Sequence, residues 1–387
     1  MTNWKETTLD EIATITMGQS PLSESYNLIG DGLPFYQGVT EFGDKYIGIK
    51  SYTNSPTKIL DAGSILFSVR APVGQVNITK NKCCIGRGNA GLVMKNGEQE
   101  FLYYLLTHLE KNILKNTTGT VFDSISGVEL RKFPVLIPES KEEQKEIAGV
   151  LSSLDDKIEL LQEENKTLEA TAQAIFKEWF VNFNFPGATG RMIDSELGEI
   201  PEGWRAGKLG EAVEIFDQKR VPLASDIRAD RKGKYPYYGA TSIMDYIDDY
   251  LFDGTYLLLA EDGSVMDDNG FPVLQYVCGQ FWVSNHAHVL QGKNGFSTEM
   301  LHVLLKRTSI VGIVNGAVQL KINQRNLVNF EILIPSQEVL RQFDSILKPI
   351  YEKTKSIKNQ IQTLSTLRDT LLPKLMKGEV RVAGFNN

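Results

Sequence analysis

The sequence has 387 residues, of which 42% are hydrophobic and 23% are charged, and these proportions are typical of a globular protein with two or three domains. The formal net charge of −7 excludes a uniformly basic chain, and no apolar run approaches the ~20 residues of a membrane-spanning helix. The three cysteines lack the spacing of metal ligands and cannot all pair, which predicts reduced thiols in the cytoplasm.

Charge is unevenly distributed along the chain. The formal net charge is 0 over residues 1–138, −6 over 139–185, −5 over 186–335 and +4 over 336–387. A role in DNA binding would therefore depend on local basic surfaces and not on the total charge.

The strongest signal in the sequence is a duplication with a period of about 200 residues. Trp4 and Leu9 recur as Trp204 and Leu209, residues 34–36 as 236–238, Glu100, Leu102, Leu105 and Leu106 as Glu299, Leu301, Leu304 and Leu305, and residues 133–138 as 330–335. Because these matches keep their order at nearly one offset, they predict two copies of one structural unit.

The first part of each copy is predicted to be a globular domain, over residues 1–138 and, with a connector, 186–335. Short apolar runs bounded by Gly, Asp and Pro predict strands at 65–69, 256–260 and 273–277. Leucine spacing predicts helices over 99–115 and 298–311. The expected fold class is therefore α+β, with two mixed domains related by duplication.

The second part of each copy is predicted to be a long helix, over 139–185 and, with a short tail, 336–387. Apolar residues recur at steps of three and four, which alternate strictly in the first helix and shift at Leu367 in the second. This is the pattern of a heptad seam with Asn165 and Thr354 as its polar members. The predicted seam consists of Leu151, Leu154, Ile158, Leu161, Asn165, Leu168, Ala172, Ile175 and Trp179 in the first helix, and of Phe343, Ile346, Ile350, Thr354, Ile357, Ile361, Leu364, Leu367 and Leu371 in the second.

Opposite net charges of −6 and +4 favour pairing of the two helices as an antiparallel coiled coil, with the globular domains at opposite ends. The alternative is that each helix packs only on its own globular domain. Pro349 is expected to kink the second helix or delay its start. Gly378 is expected to cap that helix, and residues 379–382 to form a short strand.

Polar and basic loop residues are the candidate DNA contacts, because Arg and Gln read base edges whereas Lys mostly contacts phosphate. In the first domain the candidates are Gln19, Ser20, Arg70, Lys80, Asn81, Lys82 and Arg87. In the second domain they are Lys219, Arg220, Arg228, Arg231, Lys232, Lys234 and Lys321, most of them in the densest basic cluster of the chain. The alternative is an ordinary solvated charged surface.

Motifs of catalysis and cofactor binding are weak or missing. The glycines at 86–91 fit G-x-G-x-x-G, but the apolar run that follows them predicts a strand and not a helix. His286 and His288 alternate on an apolar stretch and are expected to be satisfied imidazoles and not metal ligands. We therefore expect no catalytic centre, no metal and no cofactor in this chain.

The chain resembles the specificity subunits of type I restriction–modification enzymes over essentially its whole length. The resemblance rests on the duplication and on TMGQSP at 16–21, LFSVRAPVG at 66–74, CIGRG at 84–88, LIP at 136–138, EEQKEI at 142–147, LDDKI at 154–158, AQAIFKEWF at 172–180, ELGEIPEGW at 196–204 and LLPKL at 371–375. The second copy departs from the family pattern, because it has no counterpart of the run at 70–74.

The resemblance implies that each globular domain reads one half of a split site in double-stranded DNA. The long helices would be the spacer that binds two modification (methyltransferase) subunits, with restriction or translocase subunits as further partners. S-adenosylmethionine would then be the cofactor of those partners. A duplicated coiled-coil scaffold that recognises protein without DNA is the alternative function, and an autonomous nuclease lacks any motif.

Overall fold

A computed structural model describes residues 3–115, 124–316 and 320–382 of the chain. The chain forms two compact units. The first unit consists of Met1–Gln162 and Asn359–Asn387, and the second consists of Glu163–Lys358. Each unit thus combines one globular domain with part of both long helices, whereas the predicted domain boundaries separate the helices from the domains.

The first half of the chain contains short strands and four helices among its described residues. The strands are β1 (Trp4–Thr8), β2 (Ala13–Met17), β3 (Tyr26–Asn27), β4 (Leu33–Tyr36), β5 (Tyr52–Thr53), β6 (Ile59–Leu60), β7 (Ile65–Ser68), β8 (Val76–Ile78), β9 (Cys83–Ile85), β10 (Asn89–Met94) and β11 (Pro134–Pro138). The helices are α1 (Leu9–Ile12), α2 (Gln99–Lys115), α3 (Gly127–Arg131) and α4 (Lys141–Phe180), and Ser23–Ser25 forms a 3-10 turn.

Two sheets form the body of the first unit, with strand orders β2-β10-β7-β8 and β3-β5-β4-β9-β6, while β1 pairs with β11. The side chains of strand β7 alternate between the two faces of its sheet, and they enter two different cores. Ile65 and Phe67 enter the main core with α2, and Leu66 enters a smaller core with Tyr36 and Ile85. The strand predicted at 65–69 is therefore confirmed and is buried on both faces.

The second unit repeats this plan with longer strands. The strands are β12 (Met192–Ser195), β13 (Gly198–Pro201), β14 (Arg205–Lys208), β15 (Val213–Ile215), β16 (Lys232–Tyr238), β17 (Ile243–Ile247), β18 (Phe252–Ala260), β19 (Leu274–Val283), β20 (Ala287–Gly292) and β21 (Glu331–Ile334). The helices are α5 (Leu209–Ala212), α6 (Ser225–Asp230), α7 (Thr298–Leu305), α8 (Gln324–Asn329) and α9 (Gln337–Met376), and Asp217–Lys219 and Val311–Ile313 form 3-10 turns.

Six strands of the second unit form one sheet in the order β15-β20-β18-β19-β16-β17. Its central strand β18 divides its side chains as β7 does. Leu257 and Leu259 enter the main core, and Tyr256 and Leu258 enter a core on the other face. Helix α7 is shorter than predicted, because it ends at Leu305 and the chain then turns.

The predicted duplication is confirmed by matching pairs of elements. Strand β1 pairs with β11 with Trp4 opposite Pro138, and β14 pairs with β21 with Arg205 opposite Ile334. The one-turn helices α1 and α5 follow β1 and β14 directly. Mixed α+β domains are thus present in both copies, as the sequence predicts.

In the second unit, α4 and α9 lie side by side and antiparallel. The Phe343 ring in α9 lies 4.7 Å from the Phe180 ring and 5.5 Å from the Trp179 ring, centroid to centroid. At the other end of these segments, Lys353 Nζ is 3.1 Å from a Glu164 carboxylate oxygen.

The first unit contains a similar antiparallel arrangement. Arg368 lies 2.8 Å from Asp155, and Arg381, just beyond α9, lies 3.4 Å from Glu143. In each of these pairs α4 supplies the acid and the C-terminal segment supplies the base, as the opposite charges of the helices predict.

The predicted seam matches the burial of both helices except near the end of α9. Its remaining members are buried or half-buried. Leu367 is 44% exposed, so its assignment to the seam is wrong. Arg368 takes the position because it pairs with Asp155, and Leu372 and Leu375 continue the buried face.

The C-terminal helix differs from expectation in two further details. It begins at Gln337 and runs through Pro349, so the proline does not delay its start. Gly378 has a φ of +68° and ends the helix, as predicted. Residues 379–382 do not form the predicted strand, because the Glu379 amide donates back to the Lys374 carbonyl. Within the described residues, none of the helices is both long enough and apolar enough to cross a lipid bilayer.

Candidate nucleic-acid interface

Three loops of the first unit meet where two parallel strands end. Strands β4 and β9 are parallel, with Tyr36 opposite Ile85, so residues 37–38 and 86–88 leave the sheet at the same edge. Residues 18–20 join them after β2, and the Gln19 amide donates to the Ile85 carbonyl over 3.0 Å. We call residues 18–20, 37–38 and 86–88 the first loop cluster.

The Ser20 hydroxyl connects all three loops. Its oxygen accepts a hydrogen bond from the Arg87 backbone N–H at 3.2 Å, and its O–H donates to Gln37 Oε1 at 2.9 Å. The sequence-predicted residues Gln19, Ser20 and Arg87 are therefore brought together, and Gln37 joins them.

Glycines allow the three loops to approach backbone to backbone. A Cβ atom on Gly18 would lie 2.1 Å from the Gly86 carbonyl oxygen, and one on Gly88 would lie 2.3 Å from the Gln37 carbonyl oxygen. Since real Cβ atoms do not approach backbone atoms so closely, larger residues would force the loops apart. The first loop cluster is thus a close-packed frame from which longer side chains project.

Two arginines make this cluster electropositive. The Val69 amide donates to the Gly88 carbonyl at 2.9 Å, which places Arg70 beside the cluster. Arg70 and Arg87 are both exposed, and neither guanidinium forms an ion pair with any residue that the structure describes. Uncompensated arginines beside exposed glutamines are suited to phosphate and base-edge contacts.

The other candidates of the first domain lie apart from this cluster. Lys80, Asn81 and Lys82 form the turn before β9, which is the end of that strand opposite the cluster. Lys80 Nζ lies 4.1 Å from the centre of the Tyr46 ring and 3.9 Å from Glu159 of α4, and Lys82 pairs with Asp61 at 3.5 Å. The structure does not bring this turn to the loops that hold Arg87.

Strand registers identify the equivalent loops of the second unit. Strands β16 and β19 are parallel, with Tyr238 opposite Val283, and the Ser284 amide donates to Tyr238 as the Gly86 amide donates to Tyr36. The Glu261 amide likewise donates to the His286 carbonyl at 2.8 Å, matching the bond from Val69 to Gly88.

These matches align the two copies residue by residue. Gln19 corresponds to Lys219, Gln37 to Gly239, Arg70 to Asp262, Arg87 to Asn285, Gly88 to His286 and Ser124 to Lys321. We call Lys219, Gly239, Asp262, residues 285–286 and Lys321 the second loop cluster. The two copies therefore present different side chains from the same positions of one fold.

The second loop cluster mixes charges of both signs. His286 Nδ1 lies 2.8 Å from an Asp262 carboxylate oxygen, and Lys321 Nζ lies 3.3 Å from Glu261. Lys219 is exposed and forms no ion pair within the described part of the chain. Lys219 and Lys321 are the sequence-predicted residues that belong to this cluster.

Arg220, a predicted DNA contact, is engaged in contacts within its own unit. Its side chain is 13% exposed, and its guanidinium donates to Glu261 at 2.7 Å and to the Ala287 carbonyl at 2.8 Å. Asp217 lies 3.5 Å away. Because removing the guanidinium would leave these buried acceptors unpaired, Arg220 has a structural role.

The basic run at 228–234, which the sequence also predicts to contact DNA, is largely paired with acids. The side chain of Arg228 is 14% exposed and lies 3.6 Å from Asp245. Asp245 also pairs with Lys232, while Arg231 pairs with Asp248 at 2.9 Å. The acids lie on or just after β17, the hairpin partner of β16, and Lys234 is the member without an ion pair among the described residues.

A buried cluster of charged groups supports the second loop cluster from below. Asp217, Glu261 and His288 lie close enough to suggest a metal site. However, His288 Nδ1 faces Asp217 at 2.6 Å and Nε2 faces the Ile322 carbonyl at 2.9 Å, so both ring nitrogens act as donors. A doubly protonated imidazole cannot ligate a metal, and the geometry fits an ion-pair network completed by Arg220.

The pKa values of this network follow from the same contacts. Burial lowers the pKa of His288, but the hydrogen bond and charge of Asp217 outweigh it, and the net pKa is raised. Burial raises the pKa of Asp217, and the contact with His288 reverses this effect, so that the net pKa is lowered. Each group therefore favours the charged form of the other.

Sequence reasoning missed Gln37, Asp262 and the cluster role of His286. A signal for Gln37 was present, because the duplicated Pro-aromatic-Tyr motif ends directly before Gln37 and directly before Gly239. No comparable signal marks Asp262, because its equivalence to Arg70 depends on strand register.

The sequence is similar to known proteins of one family. The profile of the family described as "Type I restriction modification DNA specificity domain" matches residues 1–170 and 201–366. The MjaIX specificity subunit of Methanocaldococcus jannaschii is 28% identical over 98% of this chain and 94% of its own length. The HindI specificity subunit of Haemophilus influenzae is 25% identical over 98% of this chain and 100% of its own length.

A solved structure shows a similar fold. The crystal structure of a type I restriction–modification S subunit from M. genitalium superposes with a TM-score of 0.60 at 18% identity, covering 96% of each chain. The likeness spans both copies of the duplicated unit.

Proposed function

The chain belongs to the type I restriction–modification DNA specificity family and is a non-catalytic DNA-recognition subunit, and we propose that it reads a bipartite site with one loop cluster for each half-site. The observation that carries this proposal is the pair of equivalent loop clusters with different side chains. A duplicated fold with identical loops would favour two identical half-sites. Here Arg70 and Arg87 are replaced by Asp262 and Asn285, which favours two different half-sites.

Each cluster offers its own recognition chemistry. Arg70 and Arg87 can contact phosphates or read guanine bidentately. Lys219 and Lys321 can hold phosphates beside the second half-site, while Asp262 and His286 supply an acceptor and a ring N–H. The net charge of −7 is compatible with this function because DNA contact depends on local basic groups such as Arg70, Arg87, Lys219 and Lys321 and not on the total charge.

The long helices are the proposed docking surface for two modification subunits. Support comes from exposed apolar side chains on both helices, since Leu160 of α4 is 60% exposed and Leu367 of α9 is 44% exposed. Exposed leucines of this kind are common in protein–protein interfaces. S-adenosylmethionine would be bound by those partners, restriction subunits would join through them, and the complex would act in the cytoplasm.

Co-expression with a methyltransferase subunit of the same system tests this function. We expect a complex of one chain with two methyltransferase subunits that modifies a bipartite DNA site, and whose affinity falls steeply with salt as phosphate contacts are lost. A complex that shows no salt-dependent affinity for duplex DNA would instead support the protein-recognising scaffold.

A further inference from the structure

We propose that Gln37 reads the edge of an adenine in the half-site recognised by the first unit, and that Ser20 is the residue that positions its amide. This inference rests on the proposed function, because it assigns base chemistry to one side chain of the first loop cluster.

The backbone of Gln37 is held rigidly at the end of a buried strand. Phe35 and Tyr36 of β4 are buried, whereas Gln37 is exposed. Its carbonyl accepts the Gly88 amide at 3.1 Å, and Gly86 lies so close that an added Cβ would come within 2.3 Å of Gln37 Oε1. The side chain therefore leaves the frame from a fixed point and in a restricted direction.

Ser20 fixes the orientation of the Gln37 amide. The Ser20 oxygen accepts the Arg87 N–H at 3.2 Å, and its proton is donated to Gln37 Oε1 at 2.9 Å. The oxygen of the amide is thereby directed toward Ser20. The two N–H groups of Nε2 make no hydrogen bond with any described residue, and Oε1 keeps a second lone pair.

This free edge of the amide matches adenine. A glutamine amide pairs bidentately with adenine by donating to N7 and accepting from the N6 amino group. Nε2 supplies the donor, and the second lone pair of Oε1 supplies the acceptor. Because the amide is already oriented in the free protein, less conformational entropy is lost on binding than for a mobile side chain.

The second unit has no glutamine at the position equivalent to Gln37. Gly239 occupies the equivalent position, and its carbonyl accepts a hydrogen bond from Gln275 Nε2 at 3.1 Å. The proposed adenine contact is therefore specific to the first half-site, and the two halves of the chain serve as internal controls for each other.

The test compares base preferences of the assembled methyltransferase complex on a library of bipartite duplexes. We expect Gln37→Ala to lower the preference for one A·T pair of the first half-site by about tenfold or more, with every other position unchanged. Gln37→Glu keeps the chain length but carries only acceptors, so we expect the same position to shift toward cytosine, whose N4 amino group is a donor.

Three further variants separate positioning from folding. Ser20→Ala is expected to weaken the preference at the same base pair, and Ser20→Thr to restore it because the hydroxyl is retained. Gln218→Ala changes an exposed glutamine of the second unit and is expected to leave the first half-site unaltered.

The inference is overturned if Gln37→Ala and Gln37→Glu both leave every preference in the first half-site unchanged, or if they alter the second half-site. A wild-type complex that selects no bipartite site would refute the proposed function itself, and the two failures are therefore distinguishable.

Discussion

Arg368 of α9 donates a hydrogen bond over 2.8 Å to the carboxylate of Asp155 in α4. The same carboxylate accepts a hydrogen bond from the Tyr104 hydroxyl in α2 at 2.6 Å. One buried acid thus joins both long helices to the globular domain of the first unit. Tyr351 of α9 occupies the position that corresponds to Asp155 of α4, and its hydroxyl lies 2.7 Å from Nδ1 of His302 in α7. The second unit therefore links its long helix α9 to the globular domain with different chemistry.

Replacing Asp155 by Ala is predicted to destabilise the first unit by about 2 kcal/mol, because it leaves a part-buried guanidinium and a buried phenol without their acceptor. Urea unfolding followed by circular dichroism measures the loss. Glu163→Ala is the matched control on the same helix, where an exposed pair with Lys166 contributes less than about 0.5 kcal/mol. Equal losses in the two variants would show that Asp155 has no special role.

The second unit is predicted to become less stable as the pH rises, because His288 loses its proton. Its pKa is raised in the folded chain by Asp217, so its contribution is fully present below about pH 6.5 and disappears as pH rises through the folded pKa. Asp217→Asn removes the anion and is expected to flatten this dependence. Thermal unfolding between pH 6 and pH 9 checks it, and parallel curves for both proteins would contradict the assignment.

His302 is predicted to have the opposite effect, because it makes the folded chain less stable as the pH falls. Burial lowers the pKa of His302 to about 3, and its Nδ1 accepts a hydrogen bond from Tyr351, so the folded chain keeps it neutral. The unfolded chain takes up the proton below about pH 6.5, which costs about 2 kcal/mol of stability at pH 5. His302→Gln should lose this acid sensitivity, and unfolding midpoints at pH 7 and pH 5 provide the measurement.

Removing the two exposed arginines of the first domain, Arg70 and Arg87, is predicted to weaken DNA binding. Arg70→Ala and Arg87→Ala should each reduce the affinity of the complex about 5- to 100-fold if they read a base, or lower the salt slope by about one if they contact phosphate. Lys82→Ala, at the other end of β9, is the matched control. Filter-binding titrations at several salt concentrations distinguish the outcomes, and an effect of Lys82→Ala as large as that of Arg87→Ala would argue against the first loop cluster.

The second half-site is predicted to depend on Lys219 and Lys321 and not on the basic run that follows them. Their alanine variants should weaken binding while preserving the base preference of the first half-site. Lys232→Ala removes a lysine already paired with Asp245 and should change binding less. Methylation mapping of the three variants decides the matter, and a dominant effect of Lys232 would restore the sequence-based prediction.

The sequence is informative where periodicity reflects burial. The seam of α4 and most of that of α9 follow directly from steps of three and four, and the duplication follows from matching strings. Leu367 fits the apolar spacing but is exposed, because Arg368 takes the half-buried seam position and pairs with Asp155 of α4. Apolar periodicity cannot detect a seam position that is satisfied by an ion pair.

The candidate site was harder to predict because charge along the chain does not indicate charge in space. In the sequence, Arg228 and Arg231 belong to a basic run. In the fold, the β16–β17 hairpin places Asp245 and Asp248 beside them. Arg220 pairs with Glu261, which directly follows β18. Arg70 and Arg87 have no ion-pair partner among the described residues, but only their strand positions reveal it.

The glycine contacts of the first loop cluster also have an evolutionary consequence. Gly18, Gly86 and Gly88 lock the loops to one another, so insertions there would break the frame, whereas exchanges at Gln19, Gln37, Arg70 or Arg87 leave it intact. Lineages could therefore acquire new targets by single codon changes in one half of the gene, while the other half retains its ancestral preference. Such stepwise exchange would diversify specificity without passing through an unfolded intermediate.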